Sequence, residues 1–233
     1  LFLFVPVCVA NIQTIGVQFK IWFKPDFYWT KKKVTLQKNE EMEIKLFEKI
    51  IRYVFNRRIK SHRLVEQRER RFVKYENARS VLLLFESDEM EKNPGIRKII
   101  QNLTADGKKV SAWGYVDKKQ INTAILPDYK ILNKKDTDFF RRPNESFIRE
   151  LENTTYDLLI DITENEIIPL QYIALYANVG LKTGVKRNNS EIYDFLIDME
   201  SISNQTEESL VEVNAGFIYN QIIFYIKSIQ TSD

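Results

Sequence analysis

Tyr156-Asp157-Leu158-Leu159-Ile160-Asp161-Ile162 leads into Thr163-Glu164-Asn165-Glu166, a helical run from Pro169 to Asn178, and Leu181-Lys182-Thr183-Gly184-Val185. This stretch sets the class of the fold. Leu158, Leu159, Ile160 and Ile162 form a nearly continuous apolar run, the pattern of a parallel strand covered on both faces. Thr163 stands three residues before Glu166, the spacing of a capping box, so a helix start is expected there. Pro169 suits the first turn, Leu170, Ile173, Ala174 and Ala177 repeat at helical spacing, and Gly180 supplies a stop. Leu181–Val185 is then a second strand. A short crossover of this kind is right-handed and lies on one face of a parallel sheet.

Tyr193-Asp194-Phe195-Leu196-Ile197-Asp198 repeats the first strand signal with one substitution, Phe195 for Leu158. Two neighbouring strands that face the same packing problem, polar at the start and capped at the exit, account for the match. One short match is not a repeat architecture.

The 233 residues hold one large domain or one domain with extensions. With 44% hydrophobic and 29% charged residues the composition is that of a globular protein, and the formal charge of +3 is only mildly basic. Cys8 and His62 are the sole cysteine and histidine. A disulfide and a Cys/His zinc cage are therefore excluded within the chain, and nucleophilic hydrolase chemistry would have to recruit His62 from a basic helical stretch. A solvent-facing helix histidine is the simpler expectation.

Residues 1–41 do not pattern with the rest of the chain: an apolar run, Leu1–Ala10, precedes aromatics and lysines without periodicity. They read as a leader or extension outside the core, with the natural start expected at Met42. Residues 42–77 read as a basic amphipathic helix. Phe47, Ile50, Ile51, Val54 and Phe55 form a stripe, and the segment carries eleven Lys/Arg against five Glu. Such a helix packs on its own domain with its arginines solvated, or lies on anionic membrane. Nucleic acid is disfavoured because no stacking aromatics accompany the arginines.

Residues 78–233 read as a single α/β domain. Val81–Phe85 is a buried strand, a helix runs from about Gly95 to Gly107, and Val110–Val116 and Tyr129–Leu132 are further strands. Asp136–Pro143 is a polar, aromatic loop, and Asn144 caps the next helix. The result is a three-layer, mostly parallel sheet, Rossmann-like or flavodoxin-like, with an added basic N-terminal helix and a long C-terminal helix. That last helix, about Thr206–Ile229, is apolar over two lines, so cover by the basic helix or a homodimer seam is expected.

For strand order 3-2-1-4-5-6 the switch point lies between the Val81 and Leu158 strands, and ligands bind outside the strand carboxyl ends there. The rim candidates are Glu86, Ser87 and Asp88 on one side and Asp161, Thr163 and Glu164 on the other. Lys186 and Arg187 are anion candidates further along. No glycine stands between Phe85 and Asn93, which argues against NAD, FAD and ATP bound through glycine-rich turns. No cofactor and no metal are assigned.

The Tyr156–Asp161 run, Pro169–Ala177, Leu181–Val185 and Gly107–Lys119 resemble an uncharacterised family of unknown function from Bacteroidota, over about Met42 to the C-terminus. The same β-α-β is similar to the amino-terminal half of heptosyltransferase-like glycosyltransferases, which implies a three-layer α/β half-domain. Two functional readings are open. One is a non-enzymatic α/β module, cytoplasmic, that associates with a partner protein or the inner membrane surface. The other is a small-molecule-binding or transferase-like domain that uses the acidic rim.

Overall fold

The computed structural model describes residues 29–66, 68, 70, 72–87, 94–117, 129–187, 190–199, 201 and 214–229, with the backbone alone for 29–41 and 190. Helix α1 (Trp29–Arg63) crosses from one unit, Leu1–Ile44, into a second, Lys45–Asp233, to which the sheet belongs.

Six parallel strands make that sheet: β1 (Ser80–Glu86), β2 (Lys109–Val116), β3 (Tyr129–Asn133), β4 (Thr155–Asp161), β5 (Asn178–Val185) and β6 (Phe195–Ile197). Their order is β3-β2-β1-β4-β5-β6, which decides for the Rossmann-like of the two doubly wound arrangements left open by the sequence. Leu82, Leu84, Trp113 and Leu159 point to one face, and Val81, Leu83, Phe85 and Ile160 to the other. Helices α2 (Pro94–Ala105) and α5 (Ala215–Ser228) cover the second face; α1, α3 (Glu145–Asn153) and α4 (Ile168–Tyr176) cover the first. The crossovers explain the division. The β1-α2-β2 unit travels one way along the sheet and β4-α4-β5 the other, so a common right hand puts their helices on opposite faces.

Two glycines are required where they stand. Gly107 ends α2 with φ +77°, a conformation that costs a Cβ-bearing residue about 1–2 kcal/mol. At Gly114 a Cβ would lie 2.8 Å from the Phe85 ring.

Several expectations are corrected. The basic helix does not run over 42–77: it starts at Trp29 and ends at Arg63, where Val65 N–H closes a turn on the His62 carbonyl. Beyond it Glu66 and Arg68 are drawn into ion pairs with the sheet, which a continued helix could not reach. Helix α4 begins at Ile168 rather than Thr163, its N-cap Ile167 makes no side-chain bond, and Gly180 lies inside β5. Asn144 occupies the N-cap of α3 without a capping bond; its amide donates to the Lys135 carbonyl at 3.4 Å. Helix α5 covers 14 residues, and residues 206–213 of the expected longer helix lie outside the described ones. Helix α1 cannot cover it, because the two helices pack on opposite faces of the sheet.

Candidate functional site

Asp161 ends β4 and is 1% exposed. Its Oδ1 accepts from the Thr163 amide at 3.0 Å and the Thr163 hydroxyl at 2.7 Å. Its Oδ2 accepts from the Tyr193 hydroxyl, and the Arg187 guanidinium stands 3.8 Å away. Arg187 also donates to the Thr163 hydroxyl at 2.9 Å and to the Thr163 carbonyl. Burial, followed by the neighbouring Asp161 carboxylate, raises the Tyr193 phenol well above its ordinary pKa, so the phenol stays a proton donor. Asp161 is thus a local cap, as the strand-exit pattern implies, but it is also half of a buried ion pair whose cation lies 26 residues on in sequence (187 − 161). Thr163 serves this pair instead of opening a helix.

The other rim residues are also in use. Glu86 accepts from Asn165 at 3.0 Å, and Glu164 accepts from the Ala215 amide at the start of α5. Lys186 is exposed and pairs with Asp198 at 2.8 Å, whereas Arg187 is largely buried, so the two expected anion ligands part company. Asp88 lies outside the described residues.

Glu86 and Ser87 do meet the switch point. They line a cleft of about 190 Å³ with Tyr115, Asp117, Arg141, Glu166 and the residues that open α4. Sites for drug-sized ligands run from about 300 to 1,000 Å³, so this one is small. Its charged walls are tied down: Glu166 to Arg52, Arg141 to Glu48, and Asp117 to Lys134 at 3.1 Å. Among the described residues no group of three His, Cys, Asp or Glu side chains is placed to hold a metal ion.

A second buried cluster had no sequence signal as a unit. Arg68, 5% exposed, grips Asp194 with two nitrogens at 2.9 and 2.7 Å and Glu66 at 2.7 Å. Lys182 is fully enclosed on β5, with its ammonium 3.1 Å from the Leu175 carbonyl and 3.8 Å from Glu66. Burial is the largest influence on Lys182 and lowers its pKa from 10.5 to about 7. Burial pushes the Glu66 carboxyl up, but hydrogen bonds from Arg70 and Arg68 outweigh it and hold the group below its ordinary value. His62 is half-buried against the edge of Tyr176 rather than facing solvent, and burial lowers its pKa.

The repeated hexapeptide has a physical reading here. Asp157 accepts from the Ser80 amide of β1 and Asp194 from the Lys182 amide of β5, both at 2.9 Å. Asp161 and Asp198 each accept from an amide two or three residues onward. Each copy clips itself to the neighbouring strand and then turns out of the sheet.

Helix α1 contributes the remaining surface. Ile51, Phe55 and Ile59 are buried at four-residue spacing, and Phe55 meets Tyr172 at 4.5 Å. Turning about 100° per residue, the opposite face presents Leu46, Lys49, Tyr53, Arg57 and Lys60, with Ile50 on its flank. Leu46 is 59% and Tyr53 65% exposed. From Lys49 to Val65 there are six Lys/Arg and no acid. Arg52 and Arg63 are paired to Glu166 and Glu191, but Lys49, Arg57 and Lys60 have no ion-pair partner among the described residues.

Residues 48–211 match the model of a family of unknown function, DUF6913. The chain belongs to that family. The matched span takes in β1 to β6, the cleft and the buried part of α1, and stops before α5. No curated protein and no solved structure matches the chain.

Proposed function

We propose that this member of the family is a non-enzymatic α/β module that docks on an anionic bilayer surface through the outward face of α1. The observation that carries the reading is the juxtaposition on that face of exposed Leu46, Ile50 and Tyr53 with Lys49, Arg57 and Lys60, with no carboxylate from Lys49 to Val65 and the preceding Glu48 already paired with Arg141. Each basic side chain near an anionic surface contributes about 1 kcal/mol, and apolar area withdrawn from water adds about 25 cal/mol per Å². Lysine is depleted in protein interfaces and accepted at lipid headgroups, which favours lipid over a protein partner. Among the described residues no helix is long and apolar enough to cross a membrane. The rim supports the non-enzymatic half of the reading, because Asp161, Thr163, Glu164 and Arg187 already serve one another or a helix start.

Sedimentation of the full chain with phosphatidylglycerol and phosphatidylcholine vesicles tests this. The chain pellets with the first and not the second, and added salt releases it as the Debye length shortens. Recovery in the supernatant with both would overturn it. One observation favours the ligand-binding alternative: the cleft stands at the switch point. A rise in melting temperature with nucleotides, sugar nucleotides or divalent metals would move the function there.

A further inference from the structure

Asp138–Arg142 forms a rigid tip beside α1. Thr137 and Pro143 pair as an antiparallel bridge, Arg141 N–H donates to the Asp138 carbonyl at 3.0 Å, and Asp138 N–H donates to the Arg142 carbonyl at 2.9 Å. The Asp138 carboxylate fills the inside of the turn, accepting from the Phe140 and Arg142 amides at 2.8 and 2.9 Å. Arg141 closes the tip with φ +61°, where a glycine would be unstrained. The apex residue, Phe139, is 65% exposed.

The hairpin is fixed to α1 at two points. Phe139 meets Phe47 edge to face at 4.9 Å, and Arg141 pairs with Glu48. At about 100° per residue, Leu46, Ile50, Val54 and Phe47 succeed one another around α1 from its outward side toward this contact. Phe139 therefore extends the exposed apolar strip of Tyr53, Leu46 and Ile50. Lys135, exposed just before the hairpin, adds positive charge beside it.

From this geometry we infer that the hairpin is a second insertion element of the same docking face, and that Phe139 enters the interfacial layer of an anionic bilayer beside Ile50 and Tyr53. The inference rests on the reading of α1 given above. Charge complementarity selects the occupant: Lys49, Arg57, Lys60 and Lys135 flank the strip, and of the nearby carboxylates Asp138 is held by the turn's own amides and Glu48 by Arg141, which leaves Glu43, ahead of the strip, as the exposed acid. An aromatic on a hydrogen-bonded tip is already ordered, so burying it loses little conformational entropy.

Phe139→Ser and Phe224→Ser in the full chain separate this from general stickiness, since Phe224 is equally exposed, at 65%, on α5 at the opposite face of the sheet. With phosphatidylglycerol vesicles, Phe139→Ser weakens binding about ten-fold, the share expected of one partly buried aromatic, and Phe224→Ser binds like wild type. Melting temperatures of both variants stay near wild type, which sets aside unfolding. Binding by Phe139→Ser equal to wild type would overturn the insertion and leave the α1 contact standing. Equal losses in both variants would also overturn it. Failure of the wild-type chain to bind at all would overturn both.

Discussion

The strand-exit rim and the outward face of α1 are both dense in charge, yet their charges end in opposite states. At the rim, Asp161, Arg187, Thr163 and Tyr193 satisfy one another out of water, and Glu164 serves the first amide of α5. On α1, Lys49, Arg57 and Lys60 stand in water among exposed apolar side chains. The contrast shows where a function can reside. Charges that already hold the fold together are costly to redirect toward a ligand; charges without a partner cost nothing to offer.

The largest effect is expected for Asp161→Ala. Removing the carboxylate leaves the Tyr193 hydroxyl buried without its acceptor and takes the counter-charge from beside Arg187, and loss of one side of a buried pair costs about 3–5 kcal/mol. Urea unfolding of the two proteins measures it. A loss under about 1 kcal/mol would return Asp161 to the pool of residues available for a ligand.

Lys182 extends the rim's logic to the other buried cluster. Because burial lowers its pKa from 10.5 to about 7, the unfolded chain holds a proton between those values that the folded chain does not. Stability therefore rises with pH across that window, and the penalty is fully present below its lower end. Glu66 and Asp194 favour the charged form and Arg68 and Arg70 oppose it, so the slope reads the whole cluster. Lys182→Met should flatten the slope, because a thioether side chain binds no proton in either state. Melting temperature against pH for both proteins tests it. An unchanged slope would show that Lys182 stays protonated in the folded chain.

Lys49→Glu combined with Lys60→Glu probes the exposed face. Binding to phosphatidylglycerol vesicles should fall by about thirty-fold or more, from about 1 kcal/mol lost per basic residue. Unfolding free energy should change by only about 0.5 kcal/mol, as for surface sites without partners. A large stability loss with unchanged vesicle binding would exchange the roles of the two regions.

The smallest effect is expected at Arg141, which borders both regions. Arg141→Gly relieves the positive φ, worth about 1 kcal/mol, and loses the half-exposed pair with Glu48, worth up to about 1 kcal/mol. The two offset, so chemical denaturation should show a change within about 0.5 kcal/mol. A loss above about 2 kcal/mol would place Arg141 with the charges that hold the fold together.

Much of the fold was legible in local pattern. Val81–Phe85 and Leu158–Ile162 are apolar at nearly every position because both faces of a central parallel strand are covered, and such runs stand out in the sequence. The candidate site was legible only in outline. Glu86 and Ser87 do line the switch-point cleft, but Arg141 and Glu166, which complete it, come from a hairpin and a loop with no shared motif. Thr163 and Glu166 have capping-box spacing and no cap, since Arg187 and Arg52 compete for them more strongly than the backbone does.

Local sequence was enough for the strands and their parallel class; it left two doubly wound orders open, and the structure chose between them. The strands and their class rest on apolar runs and crossover lengths, which are local quantities. Which charges are used up was settled by tertiary contacts alone. Arg68 meets Asp194 across 126 residues and Arg52 meets Glu166 across 114, because β5 and β6 lie beside the chain leaving α1 and because α1 lies over α4. Pairing of charges depends on which elements become neighbours and on how little water remains between them, and neither is written in any one stretch of the chain.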